Sequence, residues 1–184
     1  MFIRTDRLLL RPLWPEDAPA VARGAGDRAV AWMLARVPHP YTLHDAAVFI
    51  DGLQGAPEPV FAMLTHDLPE VPLVGVIGLH RGDGGYELGY WLARAAWGCG
   101  YATEAGRAVL DLAFEGLRLP RVVADHFHDN PASGRVLAKL GFRPVGMAPR
   151  HSLARGGLVD SRTVALTRPQ WRAHRAGQME MKAA

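Results

Sequence analysis

Residues 97–104, Trp-Gly-Cys-Gly-Tyr-Ala-Thr-Glu, put two glycines one residue apart, where a strand-like stretch gives way to an amphipathic one. Glycine permits a left-handed turn there and lets a ligand approach the backbone closely. The first N–H groups of a helix lack intrahelical acceptors and carry partial positive charge, so such a turn can hold a phosphate. The same residues also suit a plain strand-to-helix turn, with Glu104 as a helix-stabilising acid in the first turn. The glycines alone leave both readings open. Four other places carry chemistry. Glu87 is a carboxylate in the alternating stretch YELGYWL, residues 86–92. His126 and His128 are two apart, which puts them on one face of a strand as a base, a substrate contact or half a metal site. Asn130 and Ser133 are three apart in NPASGRVLAKLGF. Cys99 is a possible nucleophile, although between two glycines it reads more simply as a small spacer.

Spacing excludes the common nucleotide motifs. A dinucleotide fingerprint needs glycine five residues after Gly98, and that residue is Thr103. Asp125 stands near the distance of a ribose-binding acid, but the fingerprint has already failed. A phosphate-binding P-loop needs Gly-Lys-Ser/Thr, and the first lysine of the chain is Lys139. An H-x-H pair without further ligands is a poor metal site, so no metal is expected.

The chain's 184 residues are enough for one compact domain with a real core. Hydrophobic residues make up 49% and charged ones 21%, as in ordinary globular domains. No apolar run of about 18 residues occurs, so no membrane association is expected. The N-terminus lacks a signal-peptide pattern, which makes a cytoplasmic protein the expectation. One cysteine rules out an internal disulfide. The formal charge of +3 comes from dispersed arginines without interleaved aromatics, so no nucleic-acid partner is expected.

Hydrophobic periodicity supplies the elements. RLLLRPL (7–13) reads as a first strand, and 16–36 as helical stretches broken near Gly24 and Gly26. Thr42 with Asp45 forms a variant capping box ahead of the Ala46, Phe49, Ile50 and Leu53 stripe. VFAMLTH and PLVGVIGLH read as a hairpin, RGDGG as the next turn, and YELGYWL as the fourth strand. On that strand Tyr86, Leu88, Tyr90 and Leu92 share one face, with Glu87, Gly89 and Trp91 on the other. An amphipathic helix follows the glycines, then a fifth strand, RVVADHF. The next short helix has Asn130 as N-cap, Pro131 at its first position and Gly141 past its end. FRPVGM and LVDSRTVALT are the last strands. Residues 169–184 hold a short helix and a frayed tail. This irregular alternation implies a mixed, mostly antiparallel α/β sheet rather than a doubly wound one.

With these elements laid out, ELGYWLARAAWGCGYATEAGRAVLDLAF and NPASGRVLAKLGF resemble the acetyl-CoA-binding core of the GNAT superfamily of N-acetyltransferases. The opening TDRLLLRPLWPEDA and the VDSRTVALTRPQW ending resemble its ribosomal-protein (Rim-type) branch. The resemblance covers about residues 3–172, within a single domain spanning 1–184. It implies the acyl-CoA N-acyltransferase (GNAT) fold, with about seven strands splayed between the fourth and fifth. In the gap would lie the pantetheine arm of acetyl-CoA, pairing near Trp91, Leu92 and Ala93. The N–H groups of Gly98, Cys99, Gly100, Tyr101, Ala102 and Thr103 would bind the pyrophosphate, and Asn130 and Ser133 the pantetheine and thioester end. One departure is Ala95, with Arg94 beside it, where the superfamily pattern has Gln or Arg.

Acetyl transfer requires a deprotonated amine, a stabilised oxyanion and a tolerated thiolate. The resemblance assigns the oxyanion to a strand-four N–H near Leu92. Many relatives carry a tyrosine acid where this chain has Leu137, which donates nothing; the Rim-type branch suggests Ser133 instead. Ser133 has a structural alternative, satisfying the first turn of its helix. The resemblance implies Glu87, a strand-four carboxylate acting through water, as the base, with a solvated surface charge as its alternative. His126, His128 and His151 remain further candidates. Trp32 and Tyr41 could border the acceptor pocket, which residues 15–60 and 146–160 should build. The acceptor is a primary amine, either a protein N-terminal α-amine or a small molecule. A non-catalytic acyl-CoA-binding sensor on the same scaffold is the alternative function, and a homodimer is compatible with the family.

Overall fold

The computed structural model describes residues 1–68, 73–82 and 84–183, with the backbone alone over 179–183. Pro72 of the second hairpin strand and Asp83 of the RGDGG turn lie outside the described residues. One eight-stranded sheet runs in the order β1-β2-β3-β4-β5-β6-β8-β7. The strands are β1 (Ile3–Arg4), β2 (Leu8–Arg11), β3 (Val60–Thr65), β4 (Leu73–Gly82), β5 (Gly85–Leu92), β6 (Arg121–Phe127), β7 (Arg143–Ser152) and β8 (Gly157–Thr167). Every neighbouring pair is antiparallel except β5–β6. The strand beyond the expected seven is β1, a two-residue edge too short for a periodicity signal.

Among the described residues six α-helices flank the sheet: α1 (Ala18–Gly26), α2 (Arg28–Ala31), α3 (Leu43–Asp51), α4 (Tyr101–Asp111), α5 (Pro131–Lys139) and α6 (Arg168–Ala183). The larger core joins Tyr101, Ala105, Val109, Leu110 and Phe114 of the α4 region, Leu137 and Leu140 near α5, and Trp171 of α6 to β2–β6 and β8. The smaller core joins α1 and α3 to Leu73, Val76 and Trp91. The alternation read for β5 holds: Tyr86, Leu88, Tyr90 and Leu92 pack with the larger core, and Trp91 with the smaller.

Three differences from the sequence reading have plain causes. Gly24 lies inside α1 rather than breaking it; a Cβ there would stand 2.6 Å from the Trp91 ring, so the glycine makes room for a neighbouring element. The last two strands are longer than expected, at 10 and 11 residues, and their hairpin contains most of residues 146–160, His151 included. Their pairing, Arg150 with Val159 and His151 with Leu158, orders a stretch whose composition carries little strand propensity. The last helix is longer than the short one expected, running 16 residues to Ala183, with Trp171 stacked on Phe114.

Candidate active site

The parallel ladder between β5 and β6 covers only Tyr86–Val122 and Glu87–Val123. Beyond it β5 pairs only with β4, and β6 only with β8. The two inner strands therefore part, leaving an unpaired edge inside the sheet. Ala93 N–H donates to the Val74 carbonyl (2.8 Å). Because antiparallel hydrogen bonding alternates, Trp91 and Ala93 direct their backbone to β4, whereas Tyr90 and Leu92 direct theirs to the gap. Of the three residues expected along the pantetheine arm, Leu92 alone turns its amide to the open side. Its carbonyl already accepts from the Trp97 indole N–H (2.9 Å), which leaves its N–H as the free group.

The glycine turn lies at the end of this edge. Gly98 has φ +78° and Gly100 φ +84°, the left-handed region where a side chain is strained. Gly100 is the N-cap of α4. Thr103 N–H donates to the Gly100 carbonyl (3.1 Å), so its amide is engaged within the turn. Among the described residues the N–H groups of Gly98, Cys99, Gly100, Tyr101 and Ala102 have no protein acceptor. Glu104 is tied to the N-terminal segment by Thr5 Oγ1 (2.6 Å), Arg7 N–H (2.8 Å) and Arg7 Nε (2.8 Å). Burial opposes its charge, but these bonds outweigh burial and hold its carboxyl below the usual range. Arg7 also donates Nη1 to the Cys99 carbonyl (3.0 Å), clamping the turn from outside. Nothing in the local sequence pattern of Arg7 shows that it reaches the turn across 92 positions. Cys99 is exposed, and its thiol stands 3.7 Å from the Trp97 carbonyl.

Across the gap, Asn130 caps α5, its Oδ1 accepting from Ser133 N–H (3.1 Å). The Ser133 hydroxyl lies 2.8 Å from the Tyr90 hydroxyl. Burial pushes the Tyr90 phenol up to about 12. Leu137, 1% exposed, is a core residue and faces no substrate. Tyr90 reads in the sequence as a packing residue. Only the fold brings it to Ser133, 43 positions away.

Glu87 sits on the opposite face of β5, with side-chain exposure of 15%, near His80 Nε2 (3.6 Å) and Arg150 Nη2 (3.7 Å). Burial disfavours its charge, yet the neighbouring His80 ring and the Arg150 charge outweigh burial and hold the carboxyl below its ordinary value. Arg150 also pairs with Asp125, which accepts from Thr163 (2.6 Å), so one arginine of β7 spans both parted strands. The histidine candidates do not converge. His126 packs against Gly134, His128 lies past the end of β6 beside Arg162, and His151 is on the exposed hairpin. Among the described residues no cluster of three His, Cys, Asp or Glu could hold a metal. Trp32 lines a surface groove with Arg28, Arg94 and Trp97, whereas Tyr41 is packed into the smaller core.

Residues 7–143 match the family described as an acetyltransferase (GNAT) domain, a span that runs from Arg7 through the turn and Ser133. The chain belongs to the GNAT acetyltransferases. A relative from Bacillus licheniformis, the uncharacterized N-acetyltransferase p20, is 30% identical over 163 residues, covering 85% of this chain and 90% of that protein. The Escherichia coli [ribosomal protein uS5]-alanine N-acetyltransferase is 33% identical over 84 residues, 46% of this chain and 43% of that one. The solved structure of Mycobacterium smegmatis RimJ in complex with CoA-disulfide superposes with a TM-score of 0.76 at 25% identity, covering 89% of this chain and 83% of that one. As a GNAT member the protein is an acetyl-CoA-dependent N-acetyltransferase. Its residues fit that cosubstrate: five free amides at a left-handed glycine turn suit a diphosphate, and the open β5 edge beside it suits an extended amide-bearing arm.

Proposed function

We propose that this enzyme acetylates the N-terminal α-amine of a protein, with the turn at 98–102 holding the diphosphate of acetyl-CoA. Three observations support the site: five unpaired amides at the glycine turn, the parted β5–β6 edge that precedes it, and the Ser133 hydroxyl held against Tyr90 of that edge strand. The Escherichia coli relative, a [ribosomal protein uS5]-alanine N-acetyltransferase, supports a protein acceptor over a small amine. Bound acetyl-CoA supplies an activated acetyl thioester. Leu92 N–H points into the gap and serves as the oxyanion donor. Trp91 and Ala93 shape the strand along the pantetheine arm, and Thr103 closes the turn that presents the other amides. Asn130 has its carbonyl oxygen committed to Ser133 N–H, which leaves its side-chain NH₂ for the pantetheine. Ser133 donates a hydrogen bond from its hydroxyl to the departing sulfur, which leaves as the thiolate of coenzyme A. Glu87, ionised and partly screened from solvent, draws the acceptor ammonium in and takes its proton through water. Holding amine and thioester together supplies much of the acceleration.

Thiol release from acetyl-CoA, measured with a panel of peptides bearing free N-terminal amines and a panel of small primary amines, tests this reading. Free-amine peptides are expected to accelerate release, and the same peptides blocked at the N-terminus are not. Faster turnover of small amines would move the acceptor class. Tight acetyl-CoA binding with no amine-stimulated release would mark a non-catalytic sensor.

A further inference from the structure

The GNAT tyrosine that many relatives place on the helix after the fifth strand is Leu137 here, sealed in the core. A phenol nevertheless reaches this helix, from β5. Tyr90 projects from β5, and its hydroxyl meets Ser133 Oγ of α5 at 2.8 Å, bridging the two walls of the gap. The Ser133 carbonyl is a poorer partner for that phenol, at 3.5 Å. From this geometry we infer that Tyr90 is the positioning residue for Ser133: its phenol donates to Oγ, so that the serine's own hydrogen is directed at the leaving sulfur.

The polarity follows from the two hydroxyls. A phenol is the better donor and the poorer acceptor of the pair, because its oxygen lone pair is delocalised into the ring. A serine hydroxyl has one hydrogen and two lone pairs, so accepting from Tyr90 leaves its hydrogen free for another acceptor. The backbone of Ser133 is already fixed by its N–H bond to Asn130, so the hydroxyl rotation is the remaining freedom, and Tyr90 removes it. A phenol whose titration is pushed to about 12 keeps its hydrogen throughout the working range. Aligned donors in series also polarise one another, which strengthens the bond from Ser133 to an anionic sulfur. No proton leaves Tyr90 in this arrangement; it holds another residue's donor in place.

The inference rests on Ser133 acting on the leaving group, and the test separates the two claims. Wild type, Tyr90→Phe, Ser133→Ala and the double variant are compared by thiol release from acetyl-CoA, with the fastest free-amine peptide or amine of the panel above as acceptor. Ser133→Ala is expected to lower kcat strongly. Tyr90→Phe is expected to lower kcat about tenfold, the worth of one aligned hydrogen bond, with KM for acetyl-CoA little changed. In the double variant the loss should equal that of Ser133→Ala alone, since Tyr90 has nothing left to orient. Ser133→Thr, which keeps a hydroxyl at this position, should retain the sensitivity to Tyr90→Phe. A purely packing role would instead shift the thermal midpoint, change KM and multiply with Ser133→Ala. Wild-type kcat in Tyr90→Phe, or multiplying losses, would overturn the positioning role while sparing Ser133. Wild-type kcat in Ser133→Ala would remove the reading beneath it, and with it the inference.

Discussion

At Gly98 and Gly100 the backbone, not the missing side chain, explains the residue. Nothing lies within 4 Å of a Cβ built on Gly98, so Gly98→Ala meets only the left-handed backbone, a cost of about 1–2 kcal/mol. At Gly100 the same strain is joined by Arg7 Nη2 at 3.5 Å. Both alanine variants should lower the thermal midpoint by a few degrees and raise KM for acetyl-CoA well beyond that loss, because the amides rotate out of register. A midpoint shift with unchanged KM would remove the turn from the binding site. Glu87 makes a different forecast. Glu87→Gln keeps the shape and discards the charge, so kcat/KM should fall about a hundredfold, the lower range for a general base. Since His80 and Arg150 hold the Glu87 carboxyl below its ordinary value, the neutral-range limb of the rate profile should persist in this variant and track the acceptor amine. The chemistry at this scale was partly legible. Ser133 is visible three residues after Asn130, while Tyr90 looks like any other apolar-facing strand residue until α5 is folded against it.

Among elements, the N-terminal segment does more than its short strands suggest. Arg11 and Asp17 form a buried two-pronged pair at 2.7 Å each, Asp17 also accepts from Trp14 N–H (2.8 Å), and Arg11 stacks on the Trp14 ring. This locks β2 to the start of α1, and through α1 to Trp91 at the cleft. Asp17→Asn leaves a buried guanidinium half-paired and should cost about 3–5 kcal/mol in denaturant unfolding. Replacing both residues with apolar ones of matching volume should cost less than that single change, and a larger loss in the double variant would refute this account. The elements that sequence periodicity found best are α4 and α5, whose caps and apolar stripes lie within a dozen residues. Least legible was the β7–β8 hairpin. It is held by backbone pairing and by bonds from afar: Arg155 to the Trp32 carbonyl (2.8 Å) and to Asp129 (2.8 Å).

For the molecule as a whole, carboxylates set the acid limit. Asp17, Glu87 and Glu104 all titrate below their ordinary values of 3.8, 4.5 and 4.5. Each binds protons more readily unfolded than folded. Their stabilisation is therefore complete above the unfolded values and is lost as pH falls through the depressed folded ones. Asp111, raised by burial against the Arg175 charge, works in the opposite direction. The thermal midpoint should stay nearly level from pH 7 to about 5 and drop steeply below about 4, with a shallower drop in Glu104→Gln. An equal drop in that variant would show that the Thr5–Arg7–Glu104 clasp contributes nothing.

The sequence alone determined what depends on neighbours along the chain: the helix caps, the glycine turn that only glycine can make, the alternation of β5 and, through the run of motifs, the family. Tertiary structure decided what depends on distance across the chain. It parted β5 from β6, spent the Thr103 and Ala93 amides inside the protein, carried Arg7 to the turn and Arg150 to Glu87, and set Tyr90 against Ser133. The physical reason is that local periodicity records which face of an element is buried, whereas a side chain's hydrogen-bond partner depends on which other element covers that face.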